Sequence, residues 1–429
     1  MSRLIIEGGR PLEGSVRAGG AKNSVLPILA ACLLAPGECV IHNCPELSDV
    51  AASLDILRHL GCRAERQGDA VVVDASAPTG WDVPDALMRE MRSSVIFLGA
   101  ILARCGEASL TSPGGCELGP RPIDLHLSGL RALGAEIDDT GGTLHCKAAK
   151  LTGREIVLGF PSVGATENLM LAACGAEGVT VLSNAAREPE IEDLQGFLNT
   201  CGAEITGAGT STVVIRGGRP LHGGTYTILP DRIAAATYLC GAASAGGEVF
   251  LRDAREEHLS AVTAVLREAG CDVQSGAESI RLRRDGPLQG VRPVRTAPYP
   301  GFPTDMQPQI TVALCLAQGT SLVTEGVWNN RFKYVEELRR MGAQIQVDGR
   351  VAVVEGVTQL TGAPVQACDL RAGAALVIAG LAAQGETELT QVQYIERGYE
   401  DLVGKLRQLG ADIRVEEIPE PEETEAHIC

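Results

Sequence analysis

A loop rich in glycine and proline carries a cysteine placed to react with a ligand, Cys116. The loop covers residues 111–126 and reads TSPGGCELGPRPIDLH. Gly and Pro at this density predict irregular backbone. A thiol in such a loop can reach a bound molecule and react with it. Arg121 and Pro122 follow at the predicted start of a helix.

Polar groups also mark the predicted starts of helices that are otherwise almost free of charge. Six such starts lie at Lys22, Arg92, Ser162–Val163, Asp231–Arg232, Asp305 and Arg371. A second set of helices begins near Arg121, Arg187, Arg255, Arg331 and Arg397. Helix N-termini carry free N–H groups and partial positive charge, so several starts facing one cleft would bind an anion. The alternatives are that Asp231 and Asp305 are N-caps and that the arginines are ordinary surface residues.

These helix starts recur because the sequence contains six copies of one pattern. An apolar helix, a glycine and a short strand occur together six times, 66–72 residues apart, at Gly37, Gly106, Gly178, Gly247, Gly319 and Gly385. A second series, 68–73 residues apart, comprises Gly61, Gly134, Gly202, Gly270, Gly342 and Gly410. Each repeat predicts helix, strand, loop, helix, strand, turn and strand. The second repeat is the longest between its two glycines, and the extra residues lie in the Cys116 loop.

The repeats predict an α/β fold. Six units could form a ring, a solenoid or two groups of three. The length of 429 residues favours two domains, so we favour three plus three, with the chain crossing near residues 229–231. The first helix of each repeat is apolar nearly all round, which predicts a buried helix. The more polar second helices should lie outside, and the strands should form sheets around the buried helices.

The composition of the chain argues against several classes of function. A net charge of −17 and only 3% aromatic residues argue against nucleic-acid binding. Neither a signal peptide nor a bilayer-spanning run is expected, which favours a cytoplasmic protein. The 14 cysteines are expected to be free thiols, and the seven histidines lack metal-ligand spacing. The acidic tail from residue 416 is predicted to be disordered.

No P-loop and no G-x-G-x-x-G at a helix start occur in the sequence. An anion cleft, a loop thiol and a few carboxylates therefore favour group transfer on phosphorylated small molecules.

The sequence resembles the UDP-N-acetylglucosamine 1-carboxyvinyltransferases, the enolpyruvyl transferases of peptidoglycan synthesis, from Gly8 to about Ile413. The similarity lies in nine motifs that begin at residues 19, 113, 161, 184, 229, 295, 330, 369 and 395. In order they read GGAKNS, PGGCELGPRPIDLH, PSVGATEN, NAAREPEIEDL, LPDRI, RTAPYPGFPTDMQPQ, NRFKYVEEL, DLRAGAAL and IERGYE.

This resemblance implies two inside-out α/β barrel domains, each of three pseudo-symmetric repeats. The domains would be residues 22–229 and residues 1–21 with 230–415. The implied reaction moves the enolpyruvyl group of phosphoenolpyruvate to the 3′-hydroxyl of UDP-N-acetylglucosamine and releases phosphate. It would proceed by addition and elimination through a tetrahedral ketal. We expect no cofactor, metal, nucleic acid, membrane or obligate protein partner, and inactivation by fosfomycin at Cys116.

The resemblance also implies residue roles. The catalytic set would be Cys116, Asp305, Lys22 and Arg397, with Cys116 as proton donor to C3 of phosphoenolpyruvate or as nucleophile; both roles stay open. Asp305 would activate or orient the sugar hydroxyl. Phosphate would bind Lys22, Arg121 and Arg397. Cations near phosphoenolpyruvate or the closed loop would be Arg92, Arg331 and Arg371. The sugar nucleotide would contact Asn23, Arg121, Pro122, Ile123, Asp124, Leu125, Ser162, Val163, Gly164 and Val327.

Two positions depart from the family pattern. Phe160 stands where some members have Lys, and Ala234 stands where others have Glu. A rival of the same fold, 5-enolpyruvylshikimate-3-phosphate synthase, lacks the PGGC loop, so Cys116 argues against it. A non-catalytic relative is disfavoured by the presence of Lys22, Cys116, Asp305 and Arg397 together.

Overall fold

The repeated helices and strands of the sequence form regular elements. The computed structural model describes residues 2–91, 94–111 and 123–417. In chain order its strands are β1 (Ser2–Glu7), β2 (Leu12–Arg17), β3 (Glu38–His42), β4 (Arg63–Gln67), β5 (Ala70–Asp74), β6 (Asp82–Val83), β7 (Glu107–Thr111), β8 (Glu136–Asp138), β9 (Thr143–Lys147), β10 (Glu155–Val157), β11 (Gly178–Ser183), β12 (Glu204–Thr206), β13 (Thr212–Gly217), β14 (Thr225–Thr227), β15 (Gly247–Arg252), β16 (Asp272–Ser275), β17 (Ser279–Arg284), β18 (Leu288–Gln289), β19 (Val294–Arg295), β20 (Ala317–Gln318), β21 (Thr320–Thr324), β22 (Gln344–Asp348), β23 (Val351–Glu355), β24 (Pro364–Gln366), β25 (Glu386–Thr390) and β26 (Asp412–Glu417).

The helices alternate with these strands. They are α1 (Lys22–Cys32), α2 (Ser48–His59), α3 (Asp85–Glu90), α4 (Phe97–Cys105), α5 (Asp124–Ala132), α6 (Val163–Cys174), α7 (Pro189–Thr200), α8 (Arg232–Ala245), α9 (Glu256–Glu268), α10 (Gln307–Cys315), α11 (Val335–Arg340), α12 (Leu370–Ala382), α13 (Gln393–Glu396) and α14 (Leu402–Gln408). Short 3-10 turns cover Ser94–Ile96, Thr140–Gly142, Thr304–Met306 and Arg331–Tyr334.

One sheet pattern occurs six times. In the order of neighbouring strands, the sheets are β14-β3-β5-β4, β6-β7-β9-β8, β10-β11-β13-β12, β2-β15-β17-β16, β19-β21-β23-β22 and β24-β25-β1-β26. In each sheet the first two strands are parallel, and the remaining neighbours are antiparallel. These equivalent sheets confirm the six repeats found in the sequence.

The first two strands complete sheets that belong to the second half of the chain. Strand β1 lies between β25 and β26, with Leu4 opposite both Leu389 and Val415. Strand β2 pairs with β15. The third strand of each sheet comes from the repeat's own segment in the first five repeats. In the sixth repeat, β1 from the start of the chain takes this position.

Because β26 pairs with β1, regular structure continues beyond the predicted start of the C-terminal tail. Strand β26 continues to Glu417, which lies opposite Ser2. Arg3 reaches Glu416, with 2.9 Å between Nη2 and Oε2. The prediction of disorder from residue 416 is therefore wrong for Glu416 and Glu417, because acidic composition gave no sign of this pairing. Residues 418–429 lie outside the described part of the chain.

The glycines that follow the second helices turn the chain towards the next strand. All six, Gly61, Gly134, Gly202, Gly270, Gly342 and Gly410, have φ between 89° and 103°. This left-handed conformation is costly for residues with a Cβ atom. The left-handed backbone conformation therefore explains why glycine recurs at these six positions.

The first helix of each repeat is buried, as predicted. Helices α1, α4 and α6 contact one another, and so do α8, α10 and α12. One hydrophobic core draws its residues from 21–229, and a second draws its residues from 4–18 and 233–413. The domain boundaries at 21/22 and 229/230 stay a prediction, and Ala21 packs in the first core.

The twelve described cysteines are unpaired, and ten of them are buried. Within residues 2–91, 94–111 and 123–417, no group of three or more His, Cys, Asp or Glu side chains is placed to hold a metal ion. None of the helices named above is long and apolar enough to cross a membrane.

Candidate active site

Asp305 lies between two arginines at the start of a buried helix. It occupies the 3-10 turn Thr304–Met306 that leads into α10. Its Oδ2 lies 3.0 Å from Nε of Arg371 and 2.9 Å from Nη2 of the same residue. Its Oδ1 lies 3.6 Å from Nη2 of Arg331. The N-cap of α10 is Met306 rather than Asp305, so the N-cap interpretation of Asp305 is wrong.

The two arginines fix the charge of Asp305. Burial acts to raise the pKa of its carboxyl group, but Arg371 and Arg331 outweigh burial and hold that pKa well below its usual range. The carboxylate is therefore ionised at neutral pH and only accepts hydrogen bonds. Such a group is a weak base, but it can orient a hydroxyl group that donates to it.

Arg331 and Arg371 retain N–H groups that no described residue accepts. These groups are Nε of Arg331 and Nη1 of Arg371, while Nη2 of Arg331 has only the 3.6 Å ion pair with Asp305. Both residues are buried, with exposed fractions of 2% and 3%. A buried donor without an acceptor costs about 1–3 kcal/mol, and more when charged. The unused donors therefore indicate an anionic ligand beside Asp305.

Tyr399 holds Arg371 in place. The guanidinium carbon of Arg371 lies 5.3 Å from the centre of the Tyr399 ring, a cation–π distance. The Tyr399 hydroxyl accepts from Nε2 of Gln309 at 3.0 Å and lies 3.0 Å from Oγ1 of Thr237. Residues of α8 and α10 thus hold the Tyr399 ring against Arg371 of α12.

A second charged group joins Lys22, Asp49 and Arg397. Lys22 is the first residue of α1, and its Nζ lies 2.8 Å from Oδ2 of Asp49. Arg397 donates from Nε to Oδ1 of Asp49 at 2.9 Å and from Nη2 to Oδ2 at 3.2 Å. Burial acts to raise the pKa of Asp49, but Lys22 and Arg397 lower it overall. Two predicted phosphate ligands therefore share one carboxylate.

Asp231 places the backbone of Lys22. Its Oδ1 accepts from the backbone N–H groups of Ile233 at 2.8 Å and Ala234 at 2.9 Å, which makes it the N-cap of α8. Its Oδ2 accepts from the backbone N–H of Lys22 at 3.1 Å. The N-cap interpretation of Asp231 is confirmed, and the cap also joins α8 to the first turn of α1.

A third group of charges links the two halves next to Asp305. Arg232, on α8, donates from Nε to Oε1 of Glu190 on α7 at 2.9 Å. Its guanidinium carbon lies 5.7 Å from the centre of the Tyr299 ring. The backbone N–H of Tyr299 donates to Oε1 of Glu188 at 3.3 Å. Burial raises the pKa of Glu188, and Arg232 helps to lower the pKa of Asp305.

The predicted sugar-nucleotide residues lie at two neighbouring helix starts. Asp124 begins α5, preceded by Ile123 and followed by Leu125, while Val163 and Gly164 begin α6. Ser162 is the N-cap of α6 and accepts from the backbone N–H of Ala165 at 3.3 Å. Helices α5 and α6 contact each other, and His126 on α5 lies 2.9 Å from the Asn168 amide of α6. The two helix starts therefore lie side by side.

Glu325 positions the segment that contains Val327. It is 1% exposed, and its Oε1 accepts from the backbone N–H groups of Val327 at 2.8 Å and Trp328 at 3.0 Å. Its Oε2 accepts from the hydroxyl of Thr304 at 3.0 Å. Because Thr304 precedes Asp305, Glu325 connects the predicted sugar contact to the carboxylate.

The remaining residues predicted for the site either lie outside the described part of the chain or contribute no side chain to the charged groups. Arg92, Cys116, Arg121 and Pro122 lie outside the described residues. Asn23 is the second residue of α1 and is half-buried. At the two positions that depart from the family pattern, Phe160 is exposed and Ala234 is buried at the start of α8. Arg187 and Arg255 are exposed and form no part of the charged groups described above.

Three carboxylates near the site, Asp49, Glu190 and Glu325, were not predicted from the sequence. Asp49 lies in the first turn of α2, where an acidic residue is usual because it favours the helix N-terminus. Glu190 lies in the first turn of α7 for the same reason. For Asp49 and Glu190 the available signal was the recurrence of acidic residues at second-helix starts, whereas Glu325 follows β21 and lies at no helix start.

Solved structures with this architecture define the class of protein. The crystal structure of the enolpyruvyl transferase NikO from Streptomyces tendae matches with a TM-score of 0.88 at 30% identity, over 97% of this chain and 99% of that one. EPSP synthase from Acinetobacter baumannii matches with a TM-score of 0.75 at 20% identity, over 97% and 100%, and shows the fold alone. The predicted fold class, with repeats of buried helices in two halves, is confirmed as that of the enolpyruvyl transferases.

Sequence relatives define the family. The family model described as EPSP synthase (3-phosphoshikimate 1-carboxyvinyltransferase) matches residues 6–416. UDP-N-acetylglucosamine 1-carboxyvinyltransferase 2 of Caldanaerobacter subterraneus subsp. tengcongensis is 54% identical over 413 residues, 96% of this chain and 99% of that protein. UDP-N-acetylglucosamine 1-carboxyvinyltransferase 1 of Carboxydothermus hydrogenoformans is 50% identical over 414 residues, 96% and 98%. The chain belongs to the EPSP synthase family and, within it, to the UDP-N-acetylglucosamine 1-carboxyvinyltransferases.

Proposed function

We propose that the chain transfers the enolpyruvyl group of phosphoenolpyruvate to the 3′-hydroxyl of UDP-N-acetylglucosamine and releases phosphate. The observation that carries this proposal is the set of buried cationic donors around Asp305. Arg331 and Arg371 hold Asp305 and still have N–H groups without a described acceptor. Phosphoenolpyruvate carries a carboxylate and a phosphate, and so it can use two cationic groups at once.

The reaction requires a proton at C3 of phosphoenolpyruvate and attack of the sugar oxygen at C2. This addition gives a tetrahedral ketal. Loss of the C3 proton and of phosphate from the ketal then gives the enol ether. Lys22 and Arg397 are proposed to bind the phosphate, since both lie within 3.2 Å of Asp49. Arg331 and Arg371 are proposed to bind the carboxylate, because they carry the unused donors.

Asp305 is proposed to accept a hydrogen bond from the sugar 3′-hydroxyl. Its depressed pKa suits orientation of that hydroxyl better than removal of its proton. The cations around it would stabilise negative charge on the ketal. Cys116 is proposed as the group that protonates C3 or forms an adduct with phosphoenolpyruvate, from a loop outside the described residues.

The sugar nucleotide is proposed to lie at the adjacent starts of α5 and α6. Its contacts would be Asn23, Arg121, Pro122, Ile123, Asp124, Leu125, Ser162, Val163, Gly164 and Val327, with Arg92 near phosphoenolpyruvate or the closed loop. The free N–H groups and dipole of each helix start favour a diphosphate. The exposed Phe160 cannot provide the cation that some family members place at its position.

The cellular setting follows from this reaction. We propose that the chain acts in the cytoplasm, in the first committed step of peptidoglycan synthesis, and thereby in cell-wall growth, cell shape and cell division. It would need no cofactor, metal or obligate protein partner. Fosfomycin is proposed to inactivate it by alkylating Cys116.

Phosphate release from phosphoenolpyruvate with different acceptors tests the proposal. The purified chain should release phosphate with UDP-N-acetylglucosamine and not with shikimate 3-phosphate. Each acceptor is also supplied alone, without phosphoenolpyruvate, to exclude hydrolysis of the acceptor. Release with shikimate 3-phosphate but not with the sugar nucleotide would contradict the proposed acceptor.

A further inference from the structure

Asp49 joins two cations that belong to different halves of the molecule. It lies on α2 in the first half and is 1% exposed. Lys22 approaches it from α1 of the same half, whereas Arg397 approaches from the end of α13 in the second half. All three contacts are 2.8–3.2 Å long. Both cations are therefore fixed at one carboxylate.

Lys22 needs the Asp49 carboxylate in order to keep its own positive charge. Its side chain is 10% exposed. Burial lowers the pKa of the Lys22 amine, and the nearby Arg371 and Arg397 lower it too, while Asp49 acts in the opposite direction. The groups facing Lys22 are Asp49 from α2, Arg371 from α12 and Arg397 from the end of α13, and its backbone N–H donates to Asp231 at the start of α8. Among these, Asp49 is the carboxylate in contact with the amine.

We infer that Asp49 is a positioning residue for phosphoenolpyruvate, whose carboxylate holds the Lys22 ammonium and the Arg397 guanidinium side by side for one phosphate. The inference rests on the proposed function, because it assumes that Lys22 and Arg397 bind that phosphate. Without Asp49, two like charges would face each other at the junction of the two cores. Repulsion in a buried site would separate them or remove the Lys22 proton.

The substitution Asp49→Asn tests this inference. It preserves the size of the side chain and removes its charge. We expect kcat/KM for phosphoenolpyruvate to fall by about tenfold or more, as for loss of a charged hydrogen bond, while KM for UDP-N-acetylglucosamine stays unchanged. The matched control is Asp55→Asn on the same helix, where an exposed carboxylate pairs with Arg58 at 2.6 Å. The control should leave both parameters unchanged.

The pH profile separates this role from a merely structural one. Asp49 raises the pKa of Lys22, so Asp49→Asn should move the loss of kcat/KM at high pH to lower pH. A profile of Asp49→Asn that falls at the same pH as the wild type would overturn the inference. Calorimetric titration of phosphoenolpyruvate into each protein over the same pH range gives the same comparison for binding alone.

A second variant keeps the inference testable if Asp49→Asn does not fold. Lys22→Arg carries a guanidinium that stays protonated, so the part of the wild-type loss at high pH that comes from Lys22 should disappear. An unchanged loss in Lys22→Arg would overturn the inference. A wild-type chain that releases no phosphate with the sugar nucleotide would instead contradict the proposed function, and the calorimetric comparison would still decide the role of Asp49.

Discussion

Arg232 and Glu190 form a buried ion pair that joins the two halves of the molecule. Nε of Arg232 lies 2.9 Å from Oε1 of Glu190, and their side chains are 8% and 3% exposed. Arg232 lies on α8 and Glu190 on α7, two helices that pack in different hydrophobic cores. Together with the Asp49–Arg397 contact, this pair fixes the two halves near Asp305.

Breaking the Arg232–Glu190 pair should destabilise the protein strongly. Glu190→Ala leaves the Arg232 charge buried without its partner, and the free energy of unfolding should fall by about 3 kcal/mol or more. Denaturant unfolding measures this change. Glu204→Ala is the control, because Glu204 pairs with Arg216 and Arg219 at the surface and should cost less than about 1 kcal/mol. Equal costs for the two variants would argue against a structural role for the buried pair.

Asp305 should be essential for turnover. Asp305→Asn keeps an acceptor oxygen but removes the charge between Arg331 and Arg371, and kcat should fall by about 100-fold or more. Steady-state kinetics measures the fall, and far-UV circular dichroism checks the fold. A variant with near wild-type kcat would contradict the role of Asp305.

The depressed pKa of Asp305 also predicts a pH dependence. A carboxyl group with a lowered folded-state pKa stabilises the fold above its unfolded value of about 4 and loses that contribution as the pH falls further. The wild type should therefore lose stability below about pH 4, and Asp305→Asn should lose less over the same range. Urea unfolding at several acidic pH values compares the two proteins. Parallel curves would indicate that Asp305 is not held ionised by its arginines.

Cys116 should be needed for turnover and dispensable for folding. Cys116→Ala should abolish turnover or lower it severely, with thermal melting unchanged, because the loop thiol is proposed to act on phosphoenolpyruvate. The same variant should resist covalent modification by fosfomycin, as read by intact mass. Cys105→Ala serves as a control, since Cys105 is an exposed thiol at the end of α4. Normal turnover in Cys116→Ala would reject the assignment.

Glu325 should affect the sugar nucleotide more than phosphoenolpyruvate. Glu325→Ala removes the acceptor of the Val327 and Trp328 backbone N–H groups. We expect KM for UDP-N-acetylglucosamine to rise by about tenfold, the effect of losing roughly one charged hydrogen bond. Glu355→Ala is the comparison, because Glu355 is exposed on β23. An equal change in both Michaelis constants would point to a general loss of structure.

Much of the fold could be predicted from the sequence because each repeat contains its own signals. Apolar helices such as α8 and the glycines that follow second helices are local features, and six copies made the pattern clear. The position of β1 between β25 and β26 was not visible as a local pattern. It depends on pairing between the two ends of the chain, which periodicity within a repeat does not encode.

The candidate site was predictable where single residues break the pattern. Lys22, Asp305 and Arg371 stand out because they are charged at starts of apolar helices, and the structure brings Asp305 and Arg371 together. Asp49 did not stand out, because its partner Arg397 lies 348 residues away. A carboxylate in the first turn of a helix is common, so only the folded structure shows that Asp49 holds two cations.

The proposed transfer is tested most directly by the stoichiometry of the products that the wild-type chain forms from phosphoenolpyruvate and UDP-N-acetylglucosamine. Proton and phosphorus NMR of one reaction mixture measure both the enol ether and free phosphate. We expect one phosphate released for each enolpyruvyl ether, with the ether at the 3′-oxygen of the sugar. Phosphate release without consumption of the sugar nucleotide, or an ether at another hydroxyl, would contradict it.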